Sequence, residues 1–218
     1  MKKIILLLLS IVFSEAIIYA QERDRDRDRD QDQTRLMLVD GDVLQIQDRD
    51  QTRLHNKILL KDGSVINPDG TYLTGDQKRL RLQDGQCIDM DGNLYQNEYQ
   101  YRRQVKQQNN NSTPAQAQER NQNRVHYTMI NGEVFQVRNQ QQSRLQQQIQ
   151  LADGSLVNPD GTYQNKSRQQ LRLQEGECLN MEGMKYKNTF EHRKMVMKKK
   201  ATKKMQKPMV QKKKKGNT

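Results

Sequence analysis

The sequence predicts an all-β protein of two tandem small antiparallel β-meander modules, joined and flanked by polar segments. Three observations lead to this fold class. The chain repeats itself after 91 residues, and each copy consists of short alternating runs separated by Asp-Gly or Asn-Gly dipeptides. Hydrophobic residues make up 33% of the chain and there is no Trp. A soluble domain usually has about 45–50% apolar residues, so the composition favours small cores over one large one.

The duplication is gapless. Residues 36–95 align with residues 127–186, and 26 of these 60 positions are identical. The stretch DGSVINPDGTY at 62–72 returns as DGSLVNPDGTY at 153–163. A fainter repeat of 22 residues lies inside each copy, as in LVDGDV, LKDGSV and LQDGQC. Each module is therefore expected to be built from a recurring hairpin.

The alternation of apolar and polar residues places eight short strands in the first module, and no part of either module has a helical period. The predicted strands are 36–39, 43–47, 57–61, 64–67, 71–74, 79–83, 86–89 and 93–96. Strands this short must curl or stack to bury their apolar faces.

Two kinds of turn are expected to connect these strands. Two-residue type I′ turns are predicted at Asp62-Gly63, Asp84-Gly85, Asn131-Gly132 and Asp153-Gly154, because Asn or Asp followed by Gly best tolerates two positive φ angles. Such turns would pair Leu60 with Val65 and Leu82 with Cys87. The sequence Asn67-Pro68-Asp69-Gly70 instead predicts a three-residue loop with a glycine bulge.

An apolar segment at residues 1–20 and several polar segments lie outside the modules. Residues 1–20 have a charged start and an apolar run too short to span a membrane, which is typical of a cleaved signal peptide with Ala16 or Ala20 at the cleavage site. We therefore expect export to the periplasm, the outer surface or the medium.

Predicted disordered segments are the Arg/Asp repeat 21–34, the Gln/Asn-rich linker 97–125 and the Lys-rich tail 188–218, with modules at 35–96 and 126–187. The Gln-rich run 138–150 reads as a surface loop with Leu145 as an anchor.

A known family shares this pattern. L-x-D-G-S-x-x-N-P-D-G-T followed by L-x-x-G-(E/Q)-C resembles a domain of unknown function, DUF6799, of secreted proteins in Bacteroidota-type bacteria. The residues that carry the resemblance are 62–72 with 82–92 and 153–163 with 173–183. The second copy departs from the first at Asn180 and Glu182, where the first has Asp89 and Asp91. The resemblance implies an exported β protein and no particular activity.

The Asp-Gly loops offer weak candidates for a metal site, namely Asp69, Asp89, Asp91 and Asp160. The spacing of Asp89 and Asp91 is that of a calcium loop, but the following glycine stands at position 4, whereas an EF-hand needs it at position 6. We expect these carboxylates to serve their own turns, with no metal or cofactor bound.

The two cysteines and three histidines give no catalytic site. Cys87 and Cys178 occupy matched positions in the two modules. They could form a disulfide between the modules or remain as two buried thiols. Their inward strand positions favour buried thiols. A nucleophilic thiol needs a base, yet His55, His126 and His192 do not recur at matched positions.

The tail holds the excess charge. Residues 193–218 contain 12 Lys or Arg and no Asp or Glu, whereas the rest of the chain is balanced. A solvated tail and an anion-binding segment are both consistent with this charge. The lysines expected to bind an anionic surface are Lys198, Lys199, Lys200, Lys203, Lys204, Lys212, Lys213, Lys214 and Lys215.

Together these features predict a non-enzymatic exported envelope protein. Its modules would form a structural or binding scaffold, and its tail would attach to anionic lipid, lipopolysaccharide or polysaccharide. Specific nucleic-acid binding is not expected, since aromatic stacking platforms are scarce. The alternative is a calcium-dependent binding module or an enzyme that uses the Asp-Gly loops.

Overall fold

The computed structural model describes residues 34–205, without the side chains of residues 200 and 203–205. The predicted signal peptide 1–20, all but the last residue of the Arg/Asp repeat 21–34 and the end of the tail lie outside the described residues. Within them, no helix is long and apolar enough to cross a membrane.

Each half of the described chain contains eight strands in the same order followed by a helix. Strands β1–β8 are Thr34–Val39, Asp42–Arg53, Ile58–Leu59, Val65–Ile66, Thr71–Leu73, Arg79–Arg81, Cys87–Asp89 and Leu94–Tyr95. Helices α1 and α2 follow at Glu98–Asn109 and Pro114–Gln122, and α2 has no counterpart in the described part of the second half. Strands β9–β16 are Val125–Ile130, Glu133–Arg144, Ile149–Gln150, Leu156–Val157, Thr162–Gln164, Gln170–Arg172, Cys178–Asn180 and Lys185–Tyr186, and helix α3 is Thr189–Met205.

These strands form one large antiparallel sheet and two small ones, which confirms the all-β meander class. The large sheet has the order β16-β15-β1-β2-β10-β9-β7-β8, and the small sheets are β3-β4-β5-β6 and β11-β12-β13-β14. The large sheet is symmetric about its central pair, β2 and β10. Asp48 faces Asn139 at that centre, and these two residues are 91 positions apart, so a pseudo-twofold axis passes between them.

The halves exchange their first hairpins across this axis. Strand β1 pairs with β15, and β9 pairs with β7, so each first hairpin completes the sheet of the other half. One core combines first-half residues such as Leu36 and Leu38 with second-half residues such as Tyr163 and Leu173. The other combines Tyr127 and Met129 with first-half residues in the same way, and it lies beneath the small sheet β3–β6. Small cores are present as the composition predicts, but each of these two combines residues of both halves.

Alternation along β1 separates the two faces of the large sheet. Leu36 and Leu38 point toward a small sheet. Met37 and Val39 point toward the opposite face, where Tyr99 of α1 packs against them. The molecule thus has three layers, with the small sheets on one side of the large sheet and helices α1 and α3 on the other.

Three of the four predicted type I′ turns have a different backbone conformation. Asn131 and Gly132 both have positive φ, as a type I′ turn requires, but Asp62, Asp84 and Asp153 do not. At Gly63 the backbone N–H donates to Leu60 across a three-residue loop, so Val65 pairs with Leu59 and not with Leu60. The predicted loop at Asn67–Gly70 is confirmed, since the Gly70 N–H donates to the Asn67 carbonyl at 3.0 Å.

The predicted pairing of Leu82 with Cys87 is wrong for a different reason. The turn at Asp84-Gly85 joins two sheets, because β6 pairs with β5 while β7 pairs with β8 and β9. Cys87 consequently lies opposite Tyr95 on one side and Thr128 on the other. A local hairpin signal cannot distinguish a turn within a sheet from a turn between sheets.

The polar segments are more ordered than their composition predicts. The Gln-rich run 138–150 is not a surface loop, because β10 runs through it to Arg144 and pairs with β2 at the centre of the large sheet; its predicted anchor Leu145 is buried. The segment 97–125 is not a disordered linker but forms α1 and α2. The first part of the tail 188–218 forms α3. Burial against the rest of the fold stabilises the central strand, α1 and α3, whereas α2 buries only Asn121.

Candidate functional site: a lysine-rich helix that begins at a buried ion cluster

The Asp-Gly loops use their carboxylates within their own turns. Asp69 Oδ1 accepts hydrogen bonds from the backbone N–H and the hydroxyl of Thr71 at 3.0 and 2.8 Å, and Asp160 does the same with Thr162. These bonds lower the pKa of Asp69 and Asp160, with the backbone N–H making the largest contribution.

The other two metal candidates are also engaged. Asp89 accepts from the backbone of Asp91, from both the backbone and the amide of Asn93, and from the Tyr95 hydroxyl at 2.9 Å. Asp91 forms an exposed ion pair with Lys61 at 2.8 Å. Across residues 34–205 no three His, Cys, Asp or Glu side chains come together in a metal-binding arrangement. Asp69, Asp89 and Asp160 therefore stabilise their own turns, whereas the carboxylate of Asp91 pairs with Lys61.

Both cysteines are buried free thiols, as favoured from their strand positions. Strands β7 and β15 are five strand spacings apart in the large sheet, which is about 24 Å at roughly 4.8 Å per strand. A disulfide between them is excluded at that distance. Burial raises the pKa of the Cys178 thiol to about 12, so the reactive thiolate is absent at neutral pH.

Five charged side chains form a buried cluster beneath α1 and α3. They are Arg35, Asp48, Glu98, Arg102 and Arg193, and each is at most 5% exposed. None of the five is among the site residues predicted from the sequence.

Glu98 is the centre of this cluster. Its carboxylate accepts hydrogen bonds from Arg35 at 2.5 Å, from Arg102 at 2.8 Å and from both Nε and Nη2 of Arg193 at 2.8 Å. Burial by itself would raise the pKa of Glu98, but the three guanidinium groups outweigh it and hold the pKa well below its usual range. The carboxylate is therefore charged at neutral pH.

Asp48 balances the same three arginines from the large sheet. It contacts Arg35 at 2.7 Å, Arg193 at 2.9 Å and Arg102 at 3.0 Å. Burial opposes ionisation here too, and the arginines again lower the pKa below its usual range. Since Arg193 belongs to α3 and Arg102 to α1, the cluster fixes both helices to the sheet.

The cluster lies on the pseudo-twofold axis but is not symmetric in charge. A shift of 91 residues relates Arg102 to Arg193, so this pair is retained in both halves. The same shift relates the charged first-half residues Arg35, Asp48 and Glu98 to His126, Asn139 and Thr189. The repeat continues past residues 95 and 186 into NEYQYR and NTFEHR, which contain Arg102 and Arg193. This continuation is the sequence signal that could have pointed to the two arginines.

Helix α3 leads from this cluster into the lysine-rich segment. Arg193 and Val196 are buried, whereas Lys198, Ala201 and Thr202 are exposed. Lys199 forms an ion pair with Glu182 at 2.9 Å. Lys200, Lys203 and Lys204 lie in the helix, but their side chains are outside the description, as are residues 212–215 in full.

The geometry defines a class of protein: a duplicated all-β scaffold with exchanged hairpins and a basic helix on one face. A family model described as a domain of unknown function, DUF6799, matches residues 33–94 and 124–184. These two segments cover more than half of the chain, and the chain belongs to this family as two tandem copies. Comparisons with curated proteins and with solved structures found no match.

Proposed function

We propose that the chain is a non-enzymatic scaffold of the exported cell envelope that attaches to anionic surfaces through the lysines of α3 and the segment after it. The observation that carries the proposal is the continuity of α3. One helix contains both Arg193, which is held in the buried cluster, and the lysines that follow. The basic segment therefore begins at a fixed position on the scaffold.

The charge of this segment supports an anionic partner. From residue 193 onward every charged side chain is basic. Lysines in the last turns of a helix are also favoured by the helix dipole. Each lysine near an anionic membrane contributes about 1 kcal/mol to binding. Export is supported by residues 1–20, and mass determination of the mature N-terminus after Ala16 or Ala20 would test it.

Vesicle binding tests the attachment. The mature chain is mixed with phosphatidylcholine vesicles with and without phosphatidylglycerol, and in parallel arms with lipopolysaccharide and an acidic polysaccharide. We expect salt-sensitive binding to at least one anionic surface and none to neutral vesicles. Changing Lys198, Lys200, Lys203 and Lys204 to Gln should weaken this binding at least tenfold. Lys199 is left in place because of its ion pair with Glu182.

The matched control removes the same charge from positions outside α3. Lys57, Arg81, Lys166 and Arg172 are exposed, and none has an ion pair within residues 34–205. Their conversion to Gln should leave binding nearly unchanged. An equal loss in the two variants would show that net charge alone acts, and no loss in the α3 variant would refute the proposal.

A further inference from the structure

A large cleft lies between the helix pair α1–α2 and the β7–β8 hairpin. Its volume is about 820 Å³, which is in the range of small-molecule sites. Its floor includes Tyr101, Val105 and Tyr127, and its walls include Gln104 and Gln108 of α1.

The α2 wall of the cleft is attached to the rest of the fold at its C-terminal end. Asn121 at its end is buried and donates from Nδ2 to the Gln142 carbonyl at 3.0 Å. Its Oδ1 accepts from Asn109 of α1 at 3.2 Å, and its carbonyl accepts from the Asn139 amide at 3.1 Å. Helix α2 is thereby tied to both α1 and the large sheet. The cleft is preformed, which reduces the entropic cost of binding.

Free hydrogen-bonding groups face this cleft. Gln104, Gln108 and Gln136 line it; the first two are exposed, and no group of residues 34–205 forms a hydrogen bond with any of the three side-chain amides. Each amide offers two donors and one acceptor. Tyr95, which is only half-buried, adds an aromatic ring next to the buried Tyr101, with the ring centroids 5.4 Å apart in a T-shaped arrangement.

The charges around the cleft cancel. Three basic and three acidic residues line it: Lys61, Arg120, Arg124, Asp89, Asp91 and Glu119. Lys61 and Asp91 neutralise each other directly, and Asp89 is saturated by its own hairpin. Neither a polyphosphate nor a polycation is favoured by such a surface.

The corresponding surface of the second half is built differently. There Lys199 takes the place of Gln108, and it reaches across to Glu182, which takes the place of Asp91. Ala152 stands at the position that corresponds to Lys61, so the second half has no lysine there. In the first half Asp91 instead pairs with Lys61. Gln108 therefore has no ionic partner and lines the cleft with its amide unbonded within residues 34–205. The two halves have diverged at the positions that open this cleft.

We propose that the cleft binds a short neutral oligosaccharide. A sugar presents many hydroxyl donors and acceptors without charge, which matches the unbonded planar amides, and it presents C–H faces, which match the Tyr95 ring. An extended peptide would need side-chain anchor pockets. The apolar floor offers none, because Tyr101 and Tyr127 are each only 2% exposed.

Titration of the mature chain, followed by two-dimensional amide NMR, tests this site. The probes are malto-, cello-, laminari- and manno-oligosaccharides, with an oligogalacturonate and a mixed-sequence peptide as comparison arms. We expect at least one neutral sugar to shift the side-chain amide signals of Gln104, Gln108 and Gln136. Shifts with none of the neutral sugars, or only with the acidic sugar or the peptide, would overturn the proposal.

Paired substitutions locate the binding. Gln104→Ala with Gln108→Ala should lower the affinity about tenfold, as expected for the loss of two neutral hydrogen bonds. The control is Gln107→Ala with Gln122→Ala, since both residues are exposed on the same helices and lie outside the cleft. An equal loss in the control would contradict the assignment. Vesicle binding should be unaffected by either pair, so this test is independent of the attachment through α3.

Discussion

Glu98 and Asp48 determine whether three buried arginines are tolerated beneath the helices. A buried ion pair gains little over a hydrophobic replacement, but removal of one partner leaves an uncompensated charge. Here each carboxylate is shared by all three arginines, so the loss of either one affects both α1 and α3. The loss of either carboxylate is therefore expected to weaken the attachment of both helices to the large sheet.

Glu98→Gln should therefore destabilise the fold by about 3–5 kcal/mol, because Arg35, Arg102 and Arg193 would retain only Asp48 as a counter-charge. Urea denaturation monitored by circular dichroism would measure the loss. Glu119→Gln is the control, since this residue is exposed and has no ion pair within residues 34–205. Equal denaturation midpoints for the two variants would show that the cluster does not hold the helices.

Four buried groups, namely His126, His192, Asp48 and Glu98, all make the fold less stable as the pH falls. Burial lowers the pKa of His126 and of His192 to about 3. The unfolded chain takes up these protons below about pH 6.5, so acidification favours unfolding from that pH downward. Asp48 and Glu98 have lowered pKa values as well. Their stabilisation is complete above about pH 4 and is lost as the pH falls through their folded pKa values.

His192→Tyr separates these contributions, because Tyr101 occupies the equivalent position in the first half. The wild-type chain should lose about 2 kcal/mol per buried histidine between pH 7 and pH 5, and the variant should lose about half of the total. Urea midpoints at the two pH values give the comparison. Equal wild-type stability at pH 7 and pH 5 would contradict the assigned pKa direction.

Among the elements, the turns follow from sequence more directly than the helices do. Pro68 and Gly70 specify a three-residue loop that the structure confirms. Helix α2 also has a readable start, because Thr113 and Gln116 form a capping box and Pro114 follows the cap. Helix α1 has few apolar residues, and what holds it is the burial of Tyr101, Arg102 and Val105. Its composition therefore resembles a linker.

Two glycines in equivalent backbone conformations show how a turn can also make a tertiary contact. Gly154 and Gly161 have φ of +88° and +85°, but only Gly161 lies against another side chain, since an added Cβ would come within 2.7 Å of Leu38. Gly154→Ala should cost about 1–2 kcal/mol through backbone strain. Gly161→Ala should cost about 1–3 kcal/mol more, because Leu38 of the exchanged hairpin must move.

A double-mutant cycle with Leu38→Ala tests the origin of the difference. The truncated side chain removes the clash, so the extra cost of Gly161→Ala should shrink, while the cost of Gly154→Ala should stay the same. Thermal melting of the single and double variants provides the numbers. Strict additivity of Gly161→Ala with Leu38→Ala would show that the hairpin contact is not responsible.

At the scale of the whole molecule, the exchange of hairpins makes the halves interdependent. Strand β1 pairs with β15, and its Leu36 and Leu38 pack in a core formed mainly by second-half residues. The described halves have a single covalent connection through α1 and α2. Their association nevertheless involves the central β2–β10 pair, both hydrophobic cores and the ion cluster.

A protease site inserted between Asn111 and Ser112, in the turn between α1 and α2, should therefore be cleavable without dissociation. The two fragments should elute together on native size exclusion and separate only in denaturant, because each core contains residues from both fragments. The uncut insertion variant serves as the control. Separation under native conditions would mean that the exchanged contacts are too weak to hold the halves.

The continuation of β2 through residues 48–53 and its copy in β10 were not predicted as strand. The duplication, the all-β class, the approximate starts of the eight strands in each copy and the loop at Asn67–Gly70 could be predicted from the sequence. These depend on residue periodicity and on local φ preferences, which neighbouring residues reveal. Only the tertiary structure decided which copy each hairpin joins. Since β1 and β9 are copies of one another, β15 could pair with either, and no local pattern distinguishes them. The ion cluster also depends on how the halves associate, because Arg193 of the second half pairs with Asp48 and Glu98 of the first.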